Sequence, residues 1–111
     1  MNTVFSLSER GTSFATRTRA VEVVKELSEF LALEPTKELT VDLTGVVVIS
    51  PSFAVAFIGE LRLLLSRPEY RTETINIVSD SPWVQTRLHT ALEQYVAYVK
   101  NSKPLNRVLI T

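Results

Sequence analysis

The transition from strand to helix that organises this chain lies in residues 41–65, VDLTGVVVISPSFAVAFIGELRLLL. Apolar and polar residues alternate over residues 39–44, which is the period of two expected for a strand with one buried face. Gly45 interrupts the alternation, and four consecutive β-branched residues follow at 46–49. Because β-branched residues favour extended structure, residues 46–49 are predicted to extend or re-enter the sheet as a buried continuation.

A helix is predicted to begin at the Ser50-Pro51 pair. Ser50 is a favourable N-cap residue, and Pro51 suits the first helical position because its missing N–H would have no partner there. Large apolar residues then recur every three or four positions, which is the stripe of a helix that packs on a core. The stripe consists of Phe53, Phe57, Leu61 and Leu64. Pro68 ends the helix, because proline cannot continue it.

The same patterns indicate further strands and helices. Alternation or short apolar runs predict strands near residues 3–7, 74–77 and 108–110. A long helix is predicted from Ser13 to the Glu34-Pro35 pair, and the last helix is predicted to start with Ser81 as its cap and to end within residues 101–104. Strand and helical segments therefore alternate along the chain.

Four strands alternating with three helices predict an α/β fold. Neighbouring parallel strands need a crossover connection, and a helix normally supplies it, so we expect a mostly parallel sheet of four or five strands. Strands that are covered on both faces are continuous apolar runs, whereas those at residues 39–43 and 74–77 alternate. We therefore expect the helices to pack chiefly on one face of the sheet and the other face to be partly polar.

Length and composition indicate one domain spanning residues 1–111. The chain has 111 residues, 45% of them hydrophobic, which is enough for a core of common domain size. Lysine plus arginine equals aspartate plus glutamate at 12 each, so there is no overall positive charge that would hold nucleic acid or an anionic membrane. We expect a partner that is recognised by shape or by a local patch.

The absence of cysteine excludes disulfides, thiolate catalysis and thiolate metal sites. It fits a reducing compartment, and we expect the cytoplasm. The N-terminal segment lacks the basic start and long apolar run of a signal peptide. Residues 45–59 contain no charge, but these 15 residues are fewer than the roughly 20 that a membrane-spanning helix needs, so no membrane segment is expected.

Residues 41–54 resemble a known family signature. The letters ISPSFA at residues 49–54, with the strand and the Gly45-Val46 pair before them, are similar to the signature of bacterial STAS-like domains of unknown function, which are relatives of the anti-sigma-factor antagonists. That signature has a strand ending in an acidic or aromatic-Gly-Val segment, an Ile-Ser-x-Ser-Phe-Ala junction and a following helix. The resemblance is carried by about 25 residues, and the order of elements elsewhere is compatible with it.

The resemblance implies a non-catalytic regulatory protein-interaction module whose partner is a kinase-like ATPase or another anti-sigma-type regulator. In antagonists of this superfamily the junction has the sequence Asp-Ser-Ser-Gly, and its second Ser is phosphorylated by a partner kinase that is also the anti-sigma factor. By position, Ser52 corresponds to that phosphoacceptor, whereas Ser50 replaces the acid and Phe53 replaces the glycine. The residues implied to form the junction or to contact the partner are Asp42, Ser50, Pro51, Ser52 and Phe53.

Ser52 and Asp42 each have a functional and a structural interpretation. Ser52 falls at the second helical position, where free N–H groups and the positive end of the helix dipole favour an added phosphate, yet serine is also common in first helical turns without that role. Asp42 lies in a strand that precedes the junction, which would suit a phosphoacceptor Asp like that of a response-regulator receiver. Such sites need further acidic residues to hold Mg²⁺, and only Glu9 precedes the first long helix. We expect Asp42 to be a solvent-facing strand residue.

No catalytic or metal-binding residues are expected. His89, the only histidine, falls off the apolar stripe of the last helix and is expected at the surface. Trp83 either packs in the core or offers a partner an aromatic anchor. Arg10, Arg17 and Arg19 either grip a phosphate or carboxylate or form a solvated face.

Two functions remain open from the sequence. The first is a protein-interaction module, switched by phosphorylation or not, that binds its partner through residues 51–65. The second is a small-molecule or nucleotide-binding domain that uses the crevice where the carboxyl ends of the strands meet the helix starts at Ser50 and Ser81. An enzyme has little support, because neither a metal cluster nor a nucleophile with a base is visible, and no cofactor is expected.

Overall fold

The computed structural model describes residues 2–99 and 102–111. Strands and α-helices alternate along this part of the chain. In order, they are β1 Asn2–Ser6, β2 Ser13–Phe14, α1 Arg17–Leu33, β3 Glu38–Asp42, β4 Val48–Ile49, α2 Pro51–Leu65, β5 Thr74–Val78, α3 Pro82–Tyr98 and β6 Val108–Ile110. Short 3-10 turns precede β2, β5 and β6, at Ser8–Arg10, Pro68–Tyr70 and Lys103–Arg107.

The main sheet has the strand order β1-β3-β5-β6, and all of its neighbouring strands are parallel. α1 packs on α2, and α2 packs on α3, so the three helices form one layer on a single face. This follows from the strand order, because right-handed crossovers between successive neighbours all return over the same face. The α/β fold with a mostly parallel four-stranded sheet is confirmed, including the parallel pair formed by the strands around Val41 and Ile75.

The two faces of the main sheet differ as the alternation predicts. The fully buried strand residues, on the face under the helices, include Leu39, Val41, Ile75 and Ile77. One row across the opposite face, exposed or half-buried, consists of Val4, Thr40, Asn76 and Leu109. The helices therefore cover one face, and the described residues leave the other face partly polar and open.

Each α-helix begins with a hydroxyl cap. The side-chain oxygens of Thr16, Ser50 and Ser81 accept hydrogen bonds from the backbone N–H three residues later, at 3.0, 3.0 and 3.3 Å. Pro51 and Pro82 occupy the first helical positions of α2 and α3. Such a cap satisfies one of the N–H groups that a first helical turn leaves without a partner. The predicted starts of α2 and α3 are confirmed.

The first helix starts later than the sequence predicted. α1 begins at Arg17 rather than at Ser13, because Thr16 supplies the cap and the residues before it form β2. β2 pairs in parallel with β4. Phe14 in β2 is buried against Phe53 with the ring centroids 5.2 Å apart, so a core contact distant in sequence fixes a segment that local signals assigned to the helix.

Residues 46–49 do not form the buried continuation of the main sheet that their composition predicted. Only β4 is a strand, and it belongs to a separate two-stranded sheet with β2. Gly45 has a φ of 93°, a left-handed conformation that turns the chain out of the main sheet at no steric cost to glycine. The outer two of the four residues are buried, whereas Val47 and Val48 are 68% and 52% exposed. β-branching favours extended backbone but does not decide which side chains are buried, so this prediction was wrong.

The core lies between the sheet and the helical layer. Phe57 and Leu61 are fully buried, as the predicted stripe of α2 requires. α2 and α3 approach closely at Gly59, where an added Cβ would overlap the phenol ring of Tyr95. α2 ends before Pro68, as predicted. α3 ends at Tyr98, and within the segment predicted to end it, Asn101 lies outside the described residues.

Candidate functional site

The predicted junction lies at the edge of the sheet where the strands end. β3 ends at Asp42 and leads through the Gly45 turn and β4 into α2, while β5 ends at Val78 and leads into α3. Because neighbouring parallel strands end at the same edge, the starts of α2 and α3 both lie there. The backbone N–H of Gly45 donates to Asp80 Oδ1 at 3.4 Å and so joins the two connecting loops.

Asp42 is held by its own loop. Its Oδ1 accepts the N–H of Thr44 at 2.9 Å, and its carbonyl oxygen accepts the N–H of Leu7 at 2.8 Å. An Asp side chain that bonds the backbone two residues later stabilises a turn, and the half-buried Asp42 does so after β3. Within residues 2–99 and 102–111, no group of three His, Asp or Glu side chains could hold a metal ion.

Ser50 and Phe53 stabilise the junction through internal hydrogen bonds and ring packing. The Ser50 hydroxyl accepts the N–H of Phe53 at 3.0 Å and donates to the carbonyl oxygen of Ala15 at 2.6 Å. It therefore joins the start of α2 to the segment before α1. The Phe53 ring is fully buried and stacks on Phe57 with the centroids 5.5 Å apart, so it contributes to the core and not to the surface.

Pro51 and Ser52 are the exposed first and second residues of α2. Ser50 already caps this helix, so the Ser52 hydroxyl is not required for the cap. Exposure satisfies the first requirement for modification by another protein. The position at the positive end of the helix dipole also favours the negative charge that a phosphate would add.

Exposed apolar side chains, which the sequence did not identify as a group, lie at the same edge. Val47 and Trp83 are 68% and 84% exposed, and with Val48 and Arg87 they line a shallow cleft of about 270 Å³. Of the two interpretations of Trp83, the structure supports the exposed one. No signal in the sequence singled out the two valines, because the exposed pair Val47 and Val48 does not follow the alternation of a strand. We define the junction surface as Val47, Val48, Pro51, Ser52 and Trp83.

Polar groups at the crevice between the strand ends and the helix starts are already engaged in internal hydrogen bonds. The Ser79 hydroxyl accepts the N–H of Ser81 at 3.1 Å, and the Gln85 side-chain amide donates to the Ser79 carbonyl oxygen at 2.7 Å. The hydroxyls of Ser50 and Ser81 both bond to the backbone of their own helices. The two serines on which the nucleotide-binding alternative depends are therefore engaged in capping.

The remaining candidate side chains do not converge on a site. Arg10 Nε donates to Glu26 Oε2 at 2.6 Å, and an Arg19 guanidinium N–H donates to the carbonyl oxygen of Arg10 at 3.1 Å. Arg17 is exposed at the start of α1. His89 is exposed on α3, as expected. Two of the three arginines thus stabilise the turn before β2 instead of forming an open anion site.

Comparison of the chain with protein-family models, with curated proteins and with solved structures gives no match. No helix in the described ranges is long and apolar enough to span a bilayer. The likeness of residues 41–54 to STAS-like domains therefore stays a hypothesis, and the geometry of the junction surface carries the argument about function.

Proposed function

We propose that this chain is a non-catalytic, STAS-like protein-interaction module whose partner docks on the junction surface. The observation that carries the proposal is Trp83, which is 84% exposed at the start of α3 beside the exposed Val47 and Val48. A tryptophan buries about 150–250 Å² of surface when it is covered, and exposed aromatic residues beside apolar neighbours are typical anchors of protein interfaces. Scattered single apolar residues need no explanation, but a group at one edge indicates an interaction site.

Hydrogen bonds and two prolines constrain the backbone under the junction surface, which favours binding. Ser50 ties the start of α2 to Ala15, and Gly45 is bonded to Asp80 across the two loops. Pro51 and Pro82 each fix the backbone at the first helical position. A surface that is already ordered loses less conformational entropy when a partner binds, so more of the contact energy is available as affinity.

Ser52 provides a position at which phosphorylation would control this surface. A phosphate there adds a charge of about −1.5 to −2, which the helix start tolerates but an apolar interface does not. Val48 and Pro51, which precede it in the chain, are exposed and uncharged. The fold would survive the modification while the docking of an apolar partner would weaken. The resemblance suggests a kinase-like ATPase as that partner.

Photo-cross-linking tests where a partner binds. A photoreactive residue is placed at Val48, which is 52% exposed on the junction surface, and at the control position Val21, which is 47% exposed on α1. We expect one protein to be cross-linked through position 48 and not through position 21, in the cells that make this chain. Cross-linking of the same protein at both positions, or at 21 alone, would contradict docking at the junction.

The modification is tested with the cross-linked partner after purification. The chain is incubated with the partner and ATP, and phosphate is located by mass spectrometry. Ser66, the exposed serine at the opposite end of α2, is the matched control for Ser52. We expect phosphate on Ser52 and none on Ser66. Binding at the junction without phosphate on Ser52 would support the interaction module but contradict its control by phosphorylation.

A further inference from the structure

A cationic cleft lies at the opposite edge of the sheet, where the strands begin. Its volume is about 380 Å³. It is lined by the residue before β3, by the C-terminal end of α2, by the segment that leads into β5 and by the turn before β6. The charged residues that line it are Lys37, Arg67, Arg71, Glu73 and Arg107.

The residues that line this cleft do not balance its charge. Four cations and one carboxylate line it, a formal excess of three positive charges in a chain whose net charge is zero. The two ion pairs found in the described part of the chain both lie on the α1 side, between Arg10 and Glu26 and between Arg19 and Glu22. Like charges that share one cleft repel each other, and a bound anion would relieve that repulsion.

Arg107 is held in place by backbone groups. Its guanidinium donates from Nη2 to the carbonyl oxygen of Leu65 at 2.7 Å and from Nη1 to that of Thr72 at 3.5 Å. The carbonyl end of α2 carries about half a negative charge and would disfavour an anion, and Arg107 offsets it. A guanidinium has five N–H donors, so these two bonds leave donors for a ligand.

Arg71 adds an independent observation. It has a φ of 56°, the left-handed conformation that glycine or asparagine adopts with less strain than arginine. The turn after the Pro68–Tyr70 segment would be easier to form with glycine or asparagine, yet it carries an exposed cation into the cleft lining. Strained positions of this kind concentrate at binding sites, where another requirement outweighs the local cost.

We propose that this cleft binds a small molecule that carries phosphate groups. The planar N–H fork of arginine matches phosphate oxygens in pairs, and three of the four cations are arginines. The volume falls in the range of small-ligand sites, and Leu65 and Pro68 in the lining provide apolar contact for the remainder of such a molecule. The site is confined to one cleft in a neutral chain, which favours a small anion over a nucleic acid.

Calorimetric titration with pyrophosphate at constant ionic strength tests the proposal. We expect a Kd of about 1 mM or tighter. Arg71→Asn and Lys37→Gln should each weaken binding about tenfold or more, because each removes a cation from the lining. Arg17→Gln removes the same charge from an exposed position at the start of α1 and should change the Kd by less than about twofold. Absence of pyrophosphate binding, or equal weakening by Arg17→Gln, would overturn the proposal.

Two further measurements separate binding from folding and from other anions. Arg71→Gly relieves the left-handed strain, so its thermal midpoint should equal or exceed that of the wild type while pyrophosphate binding weakens about tenfold or more. Backbone amide shifts on titration should concentrate in residues 37, 65–73 and 107. A glutamate-rich peptide that binds as tightly as pyrophosphate, or shifts that concentrate elsewhere, would contradict a phosphate site in this cleft. Either failure would leave the junction proposal untouched, because the junction lies at the other edge of the sheet.

Discussion

The starts of α2 and α3 are built alike but present different side chains to the solvent. Ser50 and Ser81 cap the two helices, and a proline follows each of them. At the third helical position both helices have a buried side chain, Phe53 in α2 and Val84 in α3. At the second position, the exposed residue is Ser52 in α2 and a tryptophan in α3.

This difference separates folding from function. The caps, the prolines and the buried third residues account for both helix starts, so the second position is free to vary. An exposed serine is common there and needs no further explanation. An exposed tryptophan has a large apolar surface in water, and helix formation does not require it. The fold therefore does not explain why a tryptophan stands at position 83.

The largest expected effect on stability is at the third position. Phe53→Ala should lower the free energy of unfolding by about 3–5 kcal/mol, because it opens a cavity beside two other rings. Val84→Ala removes fewer atoms and should cost about 1–3 kcal/mol. Denaturant melts of both variants check the order. A smaller loss for Phe53→Ala than for Val84→Ala would mean that Phe53 contributes less than Val84 to the core at the two helix starts.

Removing either helix cap should have a smaller effect on stability than removing the buried Phe53 ring. Ser50→Ala and Ser81→Ala should each cost about 0.5–2 kcal/mol for the lost cap. Ser50 also donates to Ala15 O, so its replacement should cost about 0.5–1.5 kcal/mol more than that of Ser81. Equal losses in thermal or denaturant melts would show that the bond to Ala15 makes no net contribution.

A negative charge at the second position of α2 should slightly stabilise the fold. Ser52→Asp places the charge at the positive end of the helix dipole, worth about 0.3–1 kcal/mol. Ser66→Asp, at the opposite end of α2, should destabilise by a similar amount because the dipole has the opposite sign there. The difference between the two variants should shrink as salt is added. A destabilising Ser52→Asp would argue against a phosphate at this position.

Local patterns in the sequence were enough to predict the elements that depend on local interactions. The period of two at residues 39–43 and 74–77 and the Ser-Pro pairs at 50 and 81 predicted the strands, helices and fold class. The start of α1 was missed because Ser13 and Thr16 are both acceptable caps. Only the pairing of β2 with β4 removes residues 13–14 from the helix, and that contact links segments about 35 residues apart.

The candidate sites were less predictable, because they depend on exposure and on distant residues. Phe53 belonged to the family-like junction but lies in the core, while Val47 and Val48 were expected to be buried and are exposed. Strand composition does not say which side chains a neighbouring element will cover. The cationic cleft brings together residues from positions 37 to 107, and no motif joins them in the sequence.

The most direct test of the interaction proposal is a comparison of Trp83→Ala with Tyr98→Ala. The two side chains are 84% and 86% exposed, at opposite ends of α3 and about 22 Å apart along its axis. Both variants should unfold within about 0.5 kcal/mol of the wild type, because neither residue is buried. In titrations with the purified partner, Trp83→Ala should weaken binding by about 2 kcal/mol, roughly 30-fold, and Tyr98→Ala should leave the Kd unchanged. Unchanged binding by Trp83→Ala, or an equal loss with Tyr98→Ala, would contradict docking at the junction surface.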